Sequence, residues 1–385
     1  MDDKRILIVI TALNVGGAEQ HLLRILPELR QRGFNICVYV TNHPGTMAQE
    51  MENRGVHVIA PFGHTWFTQR GRVFIYAVSL LTLIGWILRY KPSVLHFFLP
   101  GSYLLGGIAG WFMRCPCMIM SRRITHEYQK NHFIIARFEK WLHKKMQFIL
   151  ANSLQIKKEL QAEGVPESKL KIIYNGVDLN YYSTPIDRFQ KRHALNLTPH
   201  TLVIMIIANL FTRKGHKDLL QALAQIKQNL PHPWVLLCIG RDGGEQRALE
   251  NLREQWALTE HVHFLGERRD IAELQAIADV GVLSSHEEGF SNALIECMAA
   301  GLPMIVTHVG GNAEAILHRV CGIVVPPKEP SALAEAILTL AQDPDLRRCY
   351  ARAAQERVGY HFSHVTCVNQ YEALYKSLLA PQITP

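Results

Sequence analysis

Two carboxylates with seven residues between them, Glu288 and Glu296, bracket the run Gly289-Phe290-Ser291-Asn292-Ala293-Leu294-Ile295. Phe290, Leu294 and Ile295 can bury one face of a helix, and Ser291 or Asn292 can cap it with free N–H groups aimed outward. Such a helix end attracts phosphate, and a nearby carboxylate can accept hydrogen bonds from sugar hydroxyls. Spacing alone fits a surface loop with two solvated acids equally well. Arg213 and Lys214 lie in a Phe-Thr-Arg-Lys-Gly loop between an apolar run ending Ile207-Ala208-Asn209 and a helical pattern. Cations oppose the helix dipole there unless an anion binds, and a fixed Arg-Lys pair can neutralise a departing diphosphate. Gly16 and Gly17 follow the apolar run from Ile6 to Ala12 and precede a helix expected to reach about Gly33. Small residues there let backbone N–H groups approach a ligand closely, although a plain tight turn would look the same. This is not the Gly-x-Gly-x-x-Gly fingerprint, and no acid ends the second strand to hold a ribose. No metal site is expected: Asp343-Pro344-Asp345 reads as a helix-capping turn, and His126-Glu127 and His286-Glu287 lack the second histidine of a zinc helix.

The elements that would position these residues alternate short β-like runs with helical patterns, the mark of α/β architecture with parallel sheets. Strands are expected at Arg5 to Ile10, Asn35 to Val40, Val94 to Phe98, Met118 to Ser121, Phe148 to Ala151 and Lys171 to Tyr174. A linker is expected around Ser183-Thr184-Pro185 and Leu197-Thr198-Pro199. A second series follows at Thr201 to Ala208, Trp234 to Ile239, His261 to Leu265, Val280 to Ser284, Met304 to Thr307 and Gly322 to Val325. Two doubly wound sheets of this kind take ligands beyond the carboxyl ends of their strands. A length of 385 residues suits two domains, each with its own core. The eight cysteines are scattered without Cys-x2-Cys doublets, so reduced, mostly buried thiols are expected. The opening Met1-Asp2-Asp3-Lys4-Arg5 leads into a buried strand and not a cleaved signal, which points to the cytoplasm.

Charge is unevenly placed. Through Ser183 there are 22 Lys plus Arg against 12 Asp plus Glu, a net +10, while the remaining residues carry −2. The first half is therefore expected to face something anionic. No aromatic or Gly-rich recognition motif interleaves the bases, so nucleic acid is not the expected partner. A membrane surface with acidic lipids, or a pyrophosphate-bearing acceptor, fits better. Val73 to Leu88 is uncharged and largely apolar but shorter than the roughly 20 residues that span a bilayer, so a buried or interfacial helix is expected. From Lys130 to Met146, Ile134, Phe138, Trp141, Leu142 and Met146 share one helical face while the bases lie largely off it. Either a membrane surface or the domain core could take that face.

The stretch from Glu288 to Glu296, with Gly301-Leu302-Pro303 and Gly310-Gly311-Asn312-Ala313-Glu314 after it, resembles the Glu-x7-Glu signature of the retaining group 1 glycosyltransferases. Further resemblances lie in family order at Gly16-Gly17-Ala18-Glu19, Ala151-Asn152-Ser153, Asn175-Gly176-Val177-Asp178 and Arg213-Lys214-Gly215. The resemblance implies a GT-B fold, two Rossmann-like domains facing each other across a cleft. Residues 1–183 would bind acceptor, completed by a C-terminal helix within 362–385, and residues 184–361 would bind the nucleotide sugar. Arg213 and Lys214 would meet the diphosphate, Glu288 the sugar hydroxyls, and Glu296 the ribose. Backbone from Gly289 through Phe290 and Ser291 to Asn292 would cup the donor, with the base near Leu265 and Arg268, and the Gly16-Gly17 loop over the donor phosphate and acceptor side. The donor would be a nucleotide diphosphate sugar, with a UDP-sugar expected, and the acceptor a saccharide or lipid-linked saccharide of cell-surface polysaccharide or lipopolysaccharide assembly. No cofactor or metal is implied, and the expected location is the cytoplasmic face of the membrane. One departure stands out. Members often carry a histidine after the strand matching Met118 to Ser121, where this chain has Arg122-Arg123 and then His126. Either Arg122 takes that place and binds acceptor or phosphate, or a turn brings His126 in; His96 is a further candidate. Alternatives on the same fold are an epimerase, a phosphorylase, or a scaffold subunit without turnover.

Overall fold

A computed structural model describes residues 5–61, 72–130, 132–183 and 186–380. The chain divides into two compact units, residues 1–176 with 364–385, and residues 177–363.

Unit 1 runs β1 (Arg5–Ile10), α1 (Gly17–Gln31), β2 (Asn35–Val40), α2 (Ala48–Asn53), β3 (His57–Ile59), α3 (Arg72–Tyr90), β4 (Val94–Phe98), α4 (Pro100–Phe112) and β5 (Met118–Arg122). It continues with α5 (Glu127–Lys130), α6 (Phe133–His143), β6 (Phe148–Ala151), α7 (Leu154–Ala162) and β7 (Leu170–Ile172). Unit 2 opens on α8 (Leu179–Ser183), α9 (Arg188–Ala194), β8 (Leu202–Ile207), α10 (His216–Ile226), β9 (Trp234–Ile239), α11 (Gln246–Gln255), β10 (Val262–Phe264) and α12 (Ile271–Ile277). It closes with β11 (Val280–Leu283), α13 (Asn292–Ala299), β12 (Met304–Thr307), α14 (Asn312–Ala315), β13 (Gly322–Val325), α15 (Pro330–Gln342) and α16 (Pro344–His361); the last helix, α17 (His364–Leu379), belongs to unit 1.

The sheets are parallel and ordered β3-β2-β1-β4-β5-β6-β7 and β10-β9-β8-β11-β12-β13. Runs such as Ile6-Leu7-Ile8-Val9-Ile10 are apolar on both sides because helices cover both faces of each sheet. In unit 1, α1, α2 and α17 pack on one face and α3, α4, α6 and α7 on the other. Strand order reverses between β1 and β4 in one sheet and between β8 and β11 in the other. At such a reversal adjacent connections leave in opposite directions, opening a crevice at the carboxyl edge. The loops after β1, β8 and β11 carry Gly16, Lys214 and Glu288.

Six of the eight cysteines are buried free thiols. The expected linker at Ser183-Thr184-Pro185 falls largely outside the described residues, and the division between units precedes it, at Gly176 and Val177.

Candidate active site

Within unit 2, the loop after β8 forms a single 3-10 turn, Thr212–Lys214, before α10. Gly215 joins them at φ +68°, where a Cβ would stand 1.9 Å from the Ser284 carbonyl oxygen, so no side chain fits. The loop after β11 straps onto this turn. Ser284 Oγ donates to the Gly215 carbonyl at 2.9 Å, and the His286 N–H donates to the Arg213 carbonyl at 2.7 Å. His286 Nε2 is 2.7 Å from Asp218 Oδ2. The result is that Lys214 Nζ donates to Glu288 Oε1 at 2.6 Å, and Ser285 Oγ donates to the same oxygen at 2.7 Å. Glu288 is buried and Lys214 half-buried; Arg213 is exposed, its guanidinium 5.4 Å above the Phe211 ring. Beneath them His216 is buried, and burial followed by the Lys214 charge pushes its pKa down to about 4. It stays neutral at pH 7 and adds no second positive charge under Lys214.

A third loop, after β12, fixes the backbone of Glu288 and Gly289. Thr307 Oγ1 donates to the Ser285 carbonyl at 2.5 Å, and the Gly311 N–H donates to the Gly289 carbonyl at 2.9 Å. Gly310 sits at φ +50°, where a Cβ would meet the Glu288 carbonyl at 1.9 Å. Phe290 is buried, 5.2 Å from the Phe362 ring, and Ser291 caps α13 by accepting from Leu294 N–H at 3.3 Å. Asn292 and Glu296 are half-buried on α13. Leu265 lies just past β10 at the carboxyl edge, donating to the Cys238 carbonyl at 2.9 Å. Arg268 is less available than its sequence position implies: Nε and Nη2 clasp Asp270 at 2.8 and 2.7 Å.

In unit 1, Gly16 is the extended residue before α1 and Gly17 its first, exposed residue. Glu19 folds back so closely that a Cβ on Gly16 would meet its Oε2 at 2.4 Å. Burial raises the Glu19 pKa, opposed by its own backbone N–H and by the charge of Arg123.

Arg122 corrects the sequence reading. Its guanidinium is fully buried, bidentate to Glu163 at 3.0 and 3.1 Å, with Glu139 at 3.4 Å. It turns toward the helix-covered interior of unit 1. His143 Nε2 is 3.0 Å from the same Glu163, and Tyr103 shares a 2.9 Å hydrogen bond with His143. Burial alone would raise the Glu163 carboxyl, but the His143 hydrogen bond and the Arg122 charge hold it down to about 2. Side chains alternate along a strand, so the residue after an inward Arg122 takes the other side. Arg123 donates to Tyr371 Oη at 3.3 Å and to Asn175, over the Phe98 ring. His96 is buried between Tyr375 Oη and Ser121 Oγ, both at 2.8 Å, and burial pushes its pKa well below the usual value. Of the three first-unit candidates, only His126 is not buried: it is half-buried, with Nδ1 3.0 Å from Glu159 Oε2.

The description "Glycosyl transferases group 1" matches residues 187–357, and "Glycosyltransferase Family 4" matches residues 15–181. Together they take in both units. The chain belongs to the group 1 glycosyltransferases. Among curated relatives of this glycosyltransferase, N-acetyl-alpha-D-glucosaminyl L-malate synthase of Bacillus anthracis is 30% identical over 214 residues, 56% of this chain and 55% of that one. Lipopolysaccharide glucosyltransferase WaaG of Escherichia coli K12 is 25% identical over 88% of this chain and 90% of its own. Anabaena Alr3699/HepE, solved with UDP and with UDP-glucose, is 24% identical and covers 97% of this chain; TM-scores of 0.85 and 0.84 place this glycosyltransferase in the GT-B fold.

Ser285, Thr307 and Asp218 were not singled out in the sequence. Ser285 and Thr307 sit at the ends of apolar runs, Val280 to Ser284 and Met304 to Thr307. A hydroxyl at the carboxyl end of a buried parallel strand is the signal that could have found them.

Proposed function

We propose that this glycosyltransferase moves a sugar, with retention of anomeric configuration, from a nucleotide diphosphate sugar to a saccharide or lipid-linked acceptor in polysaccharide or lipopolysaccharide assembly. A UDP-sugar is the proposed donor, in keeping with the UDP and UDP-glucose named in the HepE structures. The observation that carries the reading is the Lys214–Glu288 pair of 2.6 Å, on loops that leave adjacent strands at the reversal of the unit 2 sheet. There a cation and a carboxylate are held side by side, and such fixed charges limit reorganisation during reaction.

In this reading Arg213 and Lys214 take the negative charge that grows on the diphosphate as its bond to the sugar C1 breaks. Glu288 accepts from sugar hydroxyls, and backbone N–H groups from Gly289 to Asn292 surround the donor. Glu296 holds the ribose, while Leu265 lines the base, with Arg268 beside it only through its Asp270 clasp. The acceptor oxygen forms its bond to C1 on the face the diphosphate leaves, and its proton passes to a donor phosphate oxygen. Two protein cations supply the positive charge, so the proposed reaction requires no metal. Gly16, Gly17 and His126 are the proposed acceptor-side groups of unit 1. Thermal-shift screening of nucleotide sugars tests the donor: saturation at 100 times the dissociation constant adds about 2.7 kcal/mol of stability. Stabilisation by UDP-sugars supports the reading, and indifference to every nucleotide sugar overturns it.

A further inference from the structure

Helices α3, α4 and α6 cover one face of the unit 1 sheet, with α4 packed between the other two. Their inward residues join the core: Leu83 and Ile87 from α3, Tyr103 and Ala109 from α4, Leu142 from α6. Their outward sides are unlike helices that face only water. Leu81 and Phe112 are each 70% exposed, Phe133 76% and Ile134 83%. Single exposed apolar residues are ordinary, but a layer of three neighbouring helices carrying several large ones marks a contact surface.

Charge says what the surface contacts. Residues 53–126, which build α3 and α4, contain eight Lys or Arg and no Asp or Glu. The one acid of α6, Glu139, is turned inward and buried against Arg122 and Tyr128. Arg89, Arg114, Arg137 and Lys140 are exposed on or beside these helices, followed by Lys144 and Lys145. No acid points outward from α3, α4 or α6. A second copy of the chain on this face would set like charges opposite each other. An anionic bilayer offers both complements at once, a plane of negative headgroups and an apolar layer beneath it. We propose that the outer face of α3, α4 and α6 docks on anionic bilayers, with Phe112, Phe133 and Ile134 entering the headgroup boundary and the bases on lipid phosphates.

This refines the sequence pattern at 130–146. Leu142 and Met146 go into the core, and Phe138 and Trp141 stack 5.3 Å apart against Trp111, leaving Ile134 with Phe133 as the outward apolar pair. Docking is interfacial: among the described residues no helix is long and apolar enough to cross a membrane.

Sedimentation of the full chain with phosphatidylcholine vesicles, with and without phosphatidylglycerol, tests the proposal. Binding should require phosphatidylglycerol and weaken as salt shortens the screening length. The double substitution Arg137→Glu and Lys140→Glu should weaken it at least roughly thirtyfold, since each base contributes about fivefold. Phe133→Ser with Ile134→Ser should weaken it too, while Arg352→Glu on α16 should not. Equal binding to both vesicle types, binding to neither, or indifference to the Arg137 and Lys140 reversal overturns the proposal. So does a dimer, seen by light scattering, that the same reversal dissociates. Turnover of nucleotide sugar by the non-binding variants keeps this result separate from the sugar-transfer reading.

Discussion

Lys214 and Glu288 share a hydrogen bond, so their substitutions should not act independently. A hydrogen bond to a charged group contributes about 1.5–3 kcal/mol, roughly ten- to 150-fold in rate when it is made only in the transition state. Lys214→Ala should lower kcat by at least that much, and Arg213→Ala similarly, because the charge they face grows as the diphosphate leaves. Glu288→Ala should lower kcat and raise KM together, and the Lys214/Glu288 double variant should lose less than the product of the single losses. Glu296→Ala should mainly raise KM, since ribose contacts are equal in ground and transition states. Steady-state kinetics on all five folded variants checks this, and full activity without both Arg213 and Lys214 would remove the diphosphate from this loop. Arg122 belongs to another class. Breaking one side of its buried ion pair should cost about 3–5 kcal/mol of unit 1 stability, read by denaturant unfolding of Arg122→Ala, whereas His126→Ala should unfold like the parent. Residue types and spacing made Lys214, Arg213 and Glu288 legible as charged groups on loops. They could not make Arg122 legible, because its direction depends on Glu163, 41 residues on, and on the register of β5 against the helices.

At the scale of elements, strands were readable wherever an apolar run was long enough to be buried on both faces. Seven of the twelve expected strand ends on the carboxyl side do not move, among them Ile10, Val40, Phe98 and Ile239. β3 was missed because His57-Val58-Ile59 is three residues at the sheet edge, too short for a period and half polar. α17 was placed by resemblance, and its chemistry explains why it stays on unit 1. Tyr371 and Tyr375 reach the sheet, where His21 Nε2 and Tyr371 Oη are 3.2 Å apart and His96 meets Tyr375. Burial, then the nearby Arg123 charge, holds both histidines well below the usual histidine pKa. Their folded pKa lies below the unfolded one, so the unfolded chain takes up protons first as pH falls. Stability should therefore be full above about pH 6.5 and decline below it. Glu163, held down to about 2, adds a second loss as pH falls through the ordinary carboxylate range toward 2. Melting temperature against pH should show a plateau above 6.5 and a decline below, and His96→Gln should make the first part of that decline shallower. A flat profile from pH 7 to 5 would mean that α17 is not held by neutral histidines.

At the scale of the whole molecule, two parallel sheets, each with one reversal of strand order, put loops with different chemistry at equivalent places. One reversal carries Gly16 with Glu19 close behind it; the other carries Lys214 against Glu288. Alternation of strand and helix patterns made this architecture readable, because it is written in residues that must be buried. The docking surface was only half readable: uneven charge and the basic pattern on α6 were visible, but which apolar residues face outward depends on how α4 packs between α3 and α6. In the proposed function, unit 2 turns over a nucleotide diphosphate sugar through Lys214. Nucleotide release from a panel of UDP-sugars, measured for the parent and for folded Lys214→Ala with chelator present, tests it most directly. The parent should release nucleotide slowly from at least one UDP-sugar, faster with a saccharide acceptor, and Lys214→Ala at least roughly tenfold more slowly. Equal release by parent and variant, or release that chelator abolishes, would contradict it.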